Sequence, residues 1–295
     1  MKNMIRQLIF KILGVNLVNL KSNITGLNHQ QRIGNGLAKG ALGASGRIIS
    51  EKDPLSWEFS AFSQNGEDGI IDFLTRKLLS PNKYFIEIGA SNGVECNSAY
   101  LAFTRNYSGL MIDGDPDQVA NAQKLKHNAG VEYHSAFLNL QNLHQIKDWS
   151  LYSNPDVCSW DTDGNDYYFV KQLLTDGFRP KIFVVEFNST FGPDQKLSVV
   201  YNDSFNIQTA HESHLYYGCS VALWKELFAQ HNYRFVTVDS NGVNAIFADN
   251  TQFEASFLNQ LNGLSFAENF YQKRKFRNNW NEQFGLIQHM PFYTG

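Results

Sequence analysis

This chain of 295 residues is short of the signatures that identify many enzymes on sight. It has three cysteines, Cys96, Cys158 and Cys219, at no metal or redox spacing, which weighs against a zinc site or a disulfide framework and suits a reducing compartment. It has no phosphate-cradling P-loop, so a nucleotide kinase of that type is not indicated. The Gly-x-Gly-x-x-Gly of dinucleotide sites is also missing. Residues 1–50 hold no acid at all against seven bases, so the other 245 residues carry 18 basic and 28 acidic side chains, a net of −10. An acidic body is a poor match for nucleic acid, whose phosphates need a basic surface. At the start of the chain, Arg6 and Lys11 interrupt the apolar residues, which excludes a membrane span there, and a signal peptide is not supported.

What is present begins at residues 83–93, Lys-Tyr-Phe-Ile-Glu-Ile-Gly-Ala-Ser-Asn-Gly. Tyr84, Phe85, Ile86 and Ile88 form the apolar run of a buried parallel strand, interrupted by Glu87. Gly89 and Gly93 then punctuate a turn leading into a helix. Strand, acid, glycine turn and helix are how an open α/β sheet builds a ligand crevice at the carboxyl ends of its strands. The Gly-x-x-x-Gly spacing points away from a pyrophosphate-bearing dinucleotide and toward a ligand such as S-adenosylmethionine.

Alternating patterns continue from Ser63. Strands are expected at 83–88, 109–113, 131–134, 156–160 and 181–187, with helices between them. A helix at 219–231 leads to two closing strands, 233–238 and 243–248, joined by a Ser240-Asn241-Gly242 turn. Five βα units and a terminal hairpin fit a doubly wound α/β sheet with one reversed strand. The domain is expected over 57–250, followed by a helical or irregular extension over 251–295. Ahead of it, residues 1–50 form an arm in which a basic amphipathic helix over 4–18 precedes a flexible linker at 34–46, where five glycines fall. Two readings of that helix stay open: peripheral contact with the inner face of an anionic membrane, or docking on this protein or a second copy of it.

Acids and amides recur at the expected strand ends: Glu87, Asp113, Asp161 with Asp163, and Glu186 with Asn188. In one doubly wound sheet all of them face one crevice. Asp113, ending the second strand, is placed to accept hydrogen bonds from ribose hydroxyls. Asp161, Asp163, Glu186 and Asn188 supply hard oxygen ligands suited to Mg²⁺ or another divalent cation, which would hold an acceptor hydroxyl and lower its pKa. Helix capping explains the 163–166 acids equally well. His211 is a candidate general base, though a loop histidine is commonly just solvated. Tyr216 and Tyr217 suit either a sugar face or the core.

These residues resemble the FkbM-like S-adenosylmethionine-dependent methyltransferases. The resemblance runs through Gln64-Asn-Gly-Glu67-Asp, Phe85-Ile-Glu-Ile-Gly-Ala-Ser-Asn-Gly-Val94, Gly109-Leu-Met-Ile-Asp-Gly-Asp-Pro116, Asp161-Thr-Asp-Gly-Asn-Asp166 and Val184-Val-Glu-Phe-Asn188. It implies a seven-stranded methyltransferase sheet of Rossmann-like form, with Glu87, Gly89 and Gly93 at the methionine side of the cofactor, Asp113 at the ribose, and Gln64 and Glu67 approaching from the preceding helix. It also implies methylation of a hydroxyl on a saccharide, glycan precursor or other small molecule; the residues themselves offer Asp161, Asp163 and His211 as catalytic candidates, and a cytoplasmic enzyme is expected. Two alternatives remain: other transfer chemistry on the same fold in glycan biosynthesis, or a non-catalytic binding or assembly subunit. The chain departs from the family pattern at Asp163, where relatives commonly carry Glu, and at His134–Phe137, which lacks an acid beside adenine.

Overall fold

The computed structural model describes residues 17–125 and 130–295. Seven of its strands form one sheet: β1 (Tyr84–Ile88), β2 (Ser108–Asp113), β3 (Val131–Ser135), β4 (Val157–Trp160), β5 (Ile182–Glu186), β7 (Tyr233–Val238) and β8 (Asn244–Asp249). Their order is β3-β2-β1-β4-β5-β8-β7, and β8 alone runs antiparallel to its neighbours. The remaining two, β6 (Ser198–Val199) and β9 (Phe292–Tyr293), pair in a small separate ribbon. The seven-stranded sheet is the doubly wound architecture expected, including its single reversed strand.

Period-two alternation divides the core between the two faces of the sheet. Tyr84, Ile86, Ile88, Trp160, Phe183 and Val185 pack on one side, under helices Asp166–Thr175 and Val221–Gln230. Phe85, Met111, Val157, Ile182 and Val184 pack on the other, against helices Glu67–Thr75 and Ala99–Thr104. Gly109 pairs with Phe85 across β1 and β2, and a Cβ there would lie 2.6 Å from the Phe85 ring, so glycine is required for this close approach. The chain winds from β1 outward to β3, then returns to place β4 on the other side of β1. The switch point of the sheet is therefore between β1 and β4, where a crevice opens at the strands' carboxyl ends.

The arm departs from the sequence expectation. A single 30-residue helix, Leu17–Gly46, runs through the segment read as a flexible linker. Its glycines are contact points: a Cβ on Gly36 would lie 2.5 Å from the Phe62 ring, on Gly40 2.8 Å from Tyr100, and on Gly43 2.6 Å from Phe59. Small residues let this helix approach the aromatic face of the domain closely, and the glycine content that suggested a linker records that contact. Just past the helix, Arg47 donates to the carbonyls of Trp57 and Gly69 and pairs with Asp72 at 2.7 Å. The amphipathic stretch over 4–16 lies outside the described residues. Among the described residues, no helix is long and apolar enough to cross a membrane.

The segment after residue 250 is also integrated into the fold. Phe253 and Leu258 join the second core face, while Ile287 packs with Phe191, Val199, Leu215 and Tyr216 in a third cluster. Tyr216 and Tyr217 are buried, which favours the core reading of that pair.

Candidate active site

The crevice at the switch point encloses about 330 Å³ between the turns that follow β1, β2, β3 and β4. Gly89 ends β1 at φ +80°, with its N–H donating to Ile112 O at 2.9 Å. A Cβ at Gly89 would collide with the carbonyl of Asp161, so this glycine is required by the approach of the β4 turn. The first turn and the fourth strand's acid are thereby locked together. Gly93, at φ +71°, has a different neighbour: a Cβ there would lie 2.9 Å from the Tyr133 ring. It shapes the packing of β3 and is not in the crevice wall.

Asp113 lines the crevice at the end of β2. Its Oδ2 accepts from Ser91 N–H at 2.6 Å and its Oδ1 from Asp115 N–H at 2.8 Å. Each oxygen keeps lone-pair capacity for a further donor, which two vicinal hydroxyls could fill. After β3, Ala136, Phe137 and Leu138 complete this wall, and Phe137 is 65 % exposed. A large aromatic left open at the rim of a crevice is a natural stacking surface for a flat ring.

On the other wall, Asp161 and Asp163 follow β4 and Glu186 ends β5. One carboxylate oxygen from each of the three lies within 4.8 Å of the others. That span fits a hexacoordinate hard cation, whose opposed oxygens stand roughly 4–5 Å apart. Glu186 is buried, and its Oε2 has no hydrogen-bond partner among the described residues. Burial first, then the negative charge of neighbouring acids, holds Asp161 and Glu186 well above the ordinary carboxylate range. Asp166 organises the loop: Oδ1 accepts from Thr162 N–H and its hydroxyl, both at 2.7 Å, and Oδ2 from Gly164 N–H at 2.8 Å. Capping therefore falls short as an account of these acids. Asp166 holds the turn, and Asp163, at φ +57°, is set beside Asp161.

Several expected site residues are placed elsewhere. Asn188 is fully buried, donating its amide to Leu215 O at 2.7 Å and Tyr217 O at 2.9 Å and accepting from Thr190 N–H at 3.0 Å. It caps the short helix Ser189–Phe191 and is committed there, not to the acid cluster. His211 is outside the crevice wall; its Nδ1 lies 2.8 Å from Ser213 Oγ and its ring faces His289. Glu87 shares the Phe85 side of β1, where it accepts from Asn97 N–H at 3.2 Å and Ser98 Oγ at 2.5 Å. Burial lifts its pKa to about 7. Glu67 is also buried, accepting from Asn65 N–H at 2.7 Å and Asn244 Nδ2 at 2.7 Å. Gln64 is exposed on the turn before that helix. None of these five lines the crevice.

Other wall residues escape a reading by strand ends. Phe169 and Phe205 both line the crevice, and Phe205 lies over Gly164, where a Cβ would run into its ring. Phe205 arrives from a loop with no periodic signal, so only the tertiary structure reveals it. Residues 89–93 also spell Gly-x-Ser-x-Gly, the pattern of a hydrolase nucleophile elbow, with Ser91 at φ +48° and in the wall. Among the described residues the wall contains no histidine, lysine or arginine to pair with Ser91 in the manner of a hydrolase triad.

No family model matches the chain, and a search of curated proteins returns no match. Among solved structures it is similar to an O-methyltransferase from Bacillus cereus in complex with SAH, at TM-score 0.42 and 13% identity, covering 83% of this chain and 95% of that one. It is also similar to a putative O-methyltransferase from Klebsiella pneumoniae, at TM-score 0.41 and 13% identity, covering 82% and 92%. The N-terminal domain of EvdMO1 with SAH bound gives TM-score 0.41 and 10% identity, covering 64% and 81%. At such scores and identities, the roles of individual residues rest on the geometry of this chain.

Proposed function

We propose that the chain is an S-adenosylmethionine-dependent O-methyltransferase acting on a hydroxyl of a saccharide or glycan precursor, with a divalent cation beside the cofactor. One observation carries the reading: the switch-point crevice is walled by acids, aromatics and glycine turns, without a cationic side chain among the described residues. Such a wall repels a pyrophosphate and attracts a ligand bearing a sulfonium and an ammonium group. In this arrangement Asp113 takes the ribose hydroxyls, Phe137 and Leu138 flank the adenine, and the Gly89 turn admits the ligand chain.

Bound there, the cofactor would supply an electrophilic methyl group, with the Asp161 wall placed to hold the acceptor. Asp161, Asp163 and Glu186 would hold the cation, which supplies Lewis acidity to an acceptor hydroxyl. Transfer would join the acceptor oxygen to that methyl group as its bond to sulfur breaks, with S-adenosylhomocysteine as the leaving group. The hydroxyl proton would pass to a carboxylate of this wall, where burial and the neighbouring acids favour proton uptake. With His211 outside the wall, Asp161 is the preferred base. The basic excess of residues 1–50, in which Arg32 and Arg47 are paired with Glu95 and Asp72, favours peripheral contact with the cytoplasmic face of an anionic membrane, with self-association as the competing use of the arm.

The test is S-adenosylhomocysteine release with a panel of monosaccharides and nucleotide-sugars, with and without excess EDTA. Acceptor-dependent release that chelation abolishes supports the full reading. Undiminished release in EDTA removes the cation, and no acceptor-dependent release with any sugar removes the saccharide.

A further inference from the structure

The opposite edge of the sheet carries a second cavity of inverse character. It encloses about 420 Å³ where β1 and β2 begin, and its wall includes Arg76, Lys83, Arg105 and Asn106 and no carboxylate. Behind it, Asp72 serves three guanidiniums: Arg47 at 2.7 Å, Arg76 Nε at 3.1 Å and Arg105 at 3.6 Å. One negative charge shared among three positive ones leaves the group cationic. Arg76 and Arg105 remain 46% and 31% exposed, so their heads reach the cavity instead of being buried in the pairing. Lys83 forms no ion pair among the described residues.

The backbone here is also set against its preference. Lys83 and Asn106 both adopt left-handed conformations, each at φ +55°. Asparagine tolerates that region and lysine rarely enters it. The fold fixes Lys83 there through its N–H, which donates to the buried Asp156 at 2.9 Å, while the Lys83 carbonyl accepts from Ser108 N–H at 3.0 Å. A lysine held in an unfavourable conformation at the mouth of a cationic cavity fits a site that spends local stability to place a charge.

We propose that this cavity binds a phosphate-bearing ligand, with Arg76 and Arg105 presenting planar donors, Lys83 a point charge and Asn106 an amide. Guanidinium and ammonium groups converging without a carboxylate in the wall are the chemistry that recognises a phosphate dianion. The volume admits more than one phosphate, so the group is carried on a small molecule such as a diphosphate or on a lipid headgroup. This site is independent of the crevice chemistry at the other end of the sheet.

The full chain is titrated calorimetrically with inorganic pyrophosphate, and sedimented with phosphatidylcholine vesicles with and without phosphatidylglycerol. Lys83→Asn removes the cation and keeps a residue that accepts the left-handed backbone; Arg76→Gln removes a second cation. Circular dichroism checks that both variants fold. Saturable pyrophosphate binding that each variant weakens about tenfold supports the site with a soluble ligand. Sedimentation that needs phosphatidylglycerol and is lost in Lys83→Asn supports it with a lipid ligand. Absence of both, or binding that both variants leave unchanged, overturns the proposal. Vesicle binding that survives Lys83→Asn belongs to the basic arm and counts against the site.

Discussion

The two ends of the sheet treat charge in opposite ways. At the amino end, buried acids are matched: Asp156 meets Lys181 at 2.7 Å with both side chains almost wholly buried, and Asp72 is surrounded by arginines. At the carboxyl end, Asp161, Asp163 and Glu186 crowd together with no cation, and the Glu186 Oε2 lacks even a hydrogen bond. Both ends belong to the same sheet and the same core. Paired charges serve the architecture, while unpaired acids cost folding energy and are retained for what they bind. The contrast teaches which buried charges to read as structure and which as function.

That comparison can be broken in several ways. The largest effect is expected from deleting residues 1–48, which takes Arg47 from Asp72 and uncovers Phe62 and Tyr100. A loss of more than about 4 kcal/mol follows from the exposed rings and the loss of one of the three guanidiniums that face Asp72, read as the urea midpoint. Next, Lys181→Met leaves Asp156 buried and unpaired, and we predict a cost of about 3–5 kcal/mol in urea with cofactor affinity unchanged. A change in affinity without a change in stability would reverse the assignment of that end.

Glu87 gives an intermediate effect through pH. Its folded pKa is raised from 4.5 to about 7, so the folded chain keeps this proton while the unfolded chain gives it up. Stability therefore falls as pH climbs from about 4.5 to 7, and Glu87→Gln should make that fall shallower by on the order of 1–3 kcal/mol. Identical thermal-melt profiles for both proteins across this window would refute it. Smallest is Asp161→Asn, which relieves repulsion within the acid cluster. We predict that the apo protein gains up to about 1 kcal/mol while divalent-cation binding, followed by calorimetry, is lost. The wild-type affinity should weaken as pH falls, because protons compete for the same raised-pKa carboxylates.

Much of this architecture was legible beforehand because strands β1 and β5 are predominantly apolar runs, the first broken only by Glu87 and followed by Gly89, the second ending at Glu186. The same rule brought Asp113, Asp161 and Asp163 to one crevice and set Glu186 beside the last two. It failed where a residue's role depends on what lies opposite. Gly36, Gly40 and Gly43 read as a linker because their aromatic partners are distant in sequence. Asn188 read as a ligand because nothing local shows its amide held by Leu215 and Tyr217. Glu87 precedes the turn yet faces away from the crevice, since alternation along a strand sends neighbours to opposite sides, and Gly93 lies against the Tyr133 ring instead. Phe205 carries no pattern at all.

Calorimetric titration of the full chain with S-adenosylmethionine, in parallel with Asp113→Asn and with or without Mg²⁺, tests the central claim most directly. The account predicts saturable binding by the wild type, weakened about tenfold or more in Asp113→Asn by the loss of a charge-assisted acceptor. It further predicts that Mg²⁺ changes this affinity little, because the cation serves the acceptor hydroxyl. No heat of binding from the wild type at millimolar cofactor, with or without Mg²⁺, would contradict it.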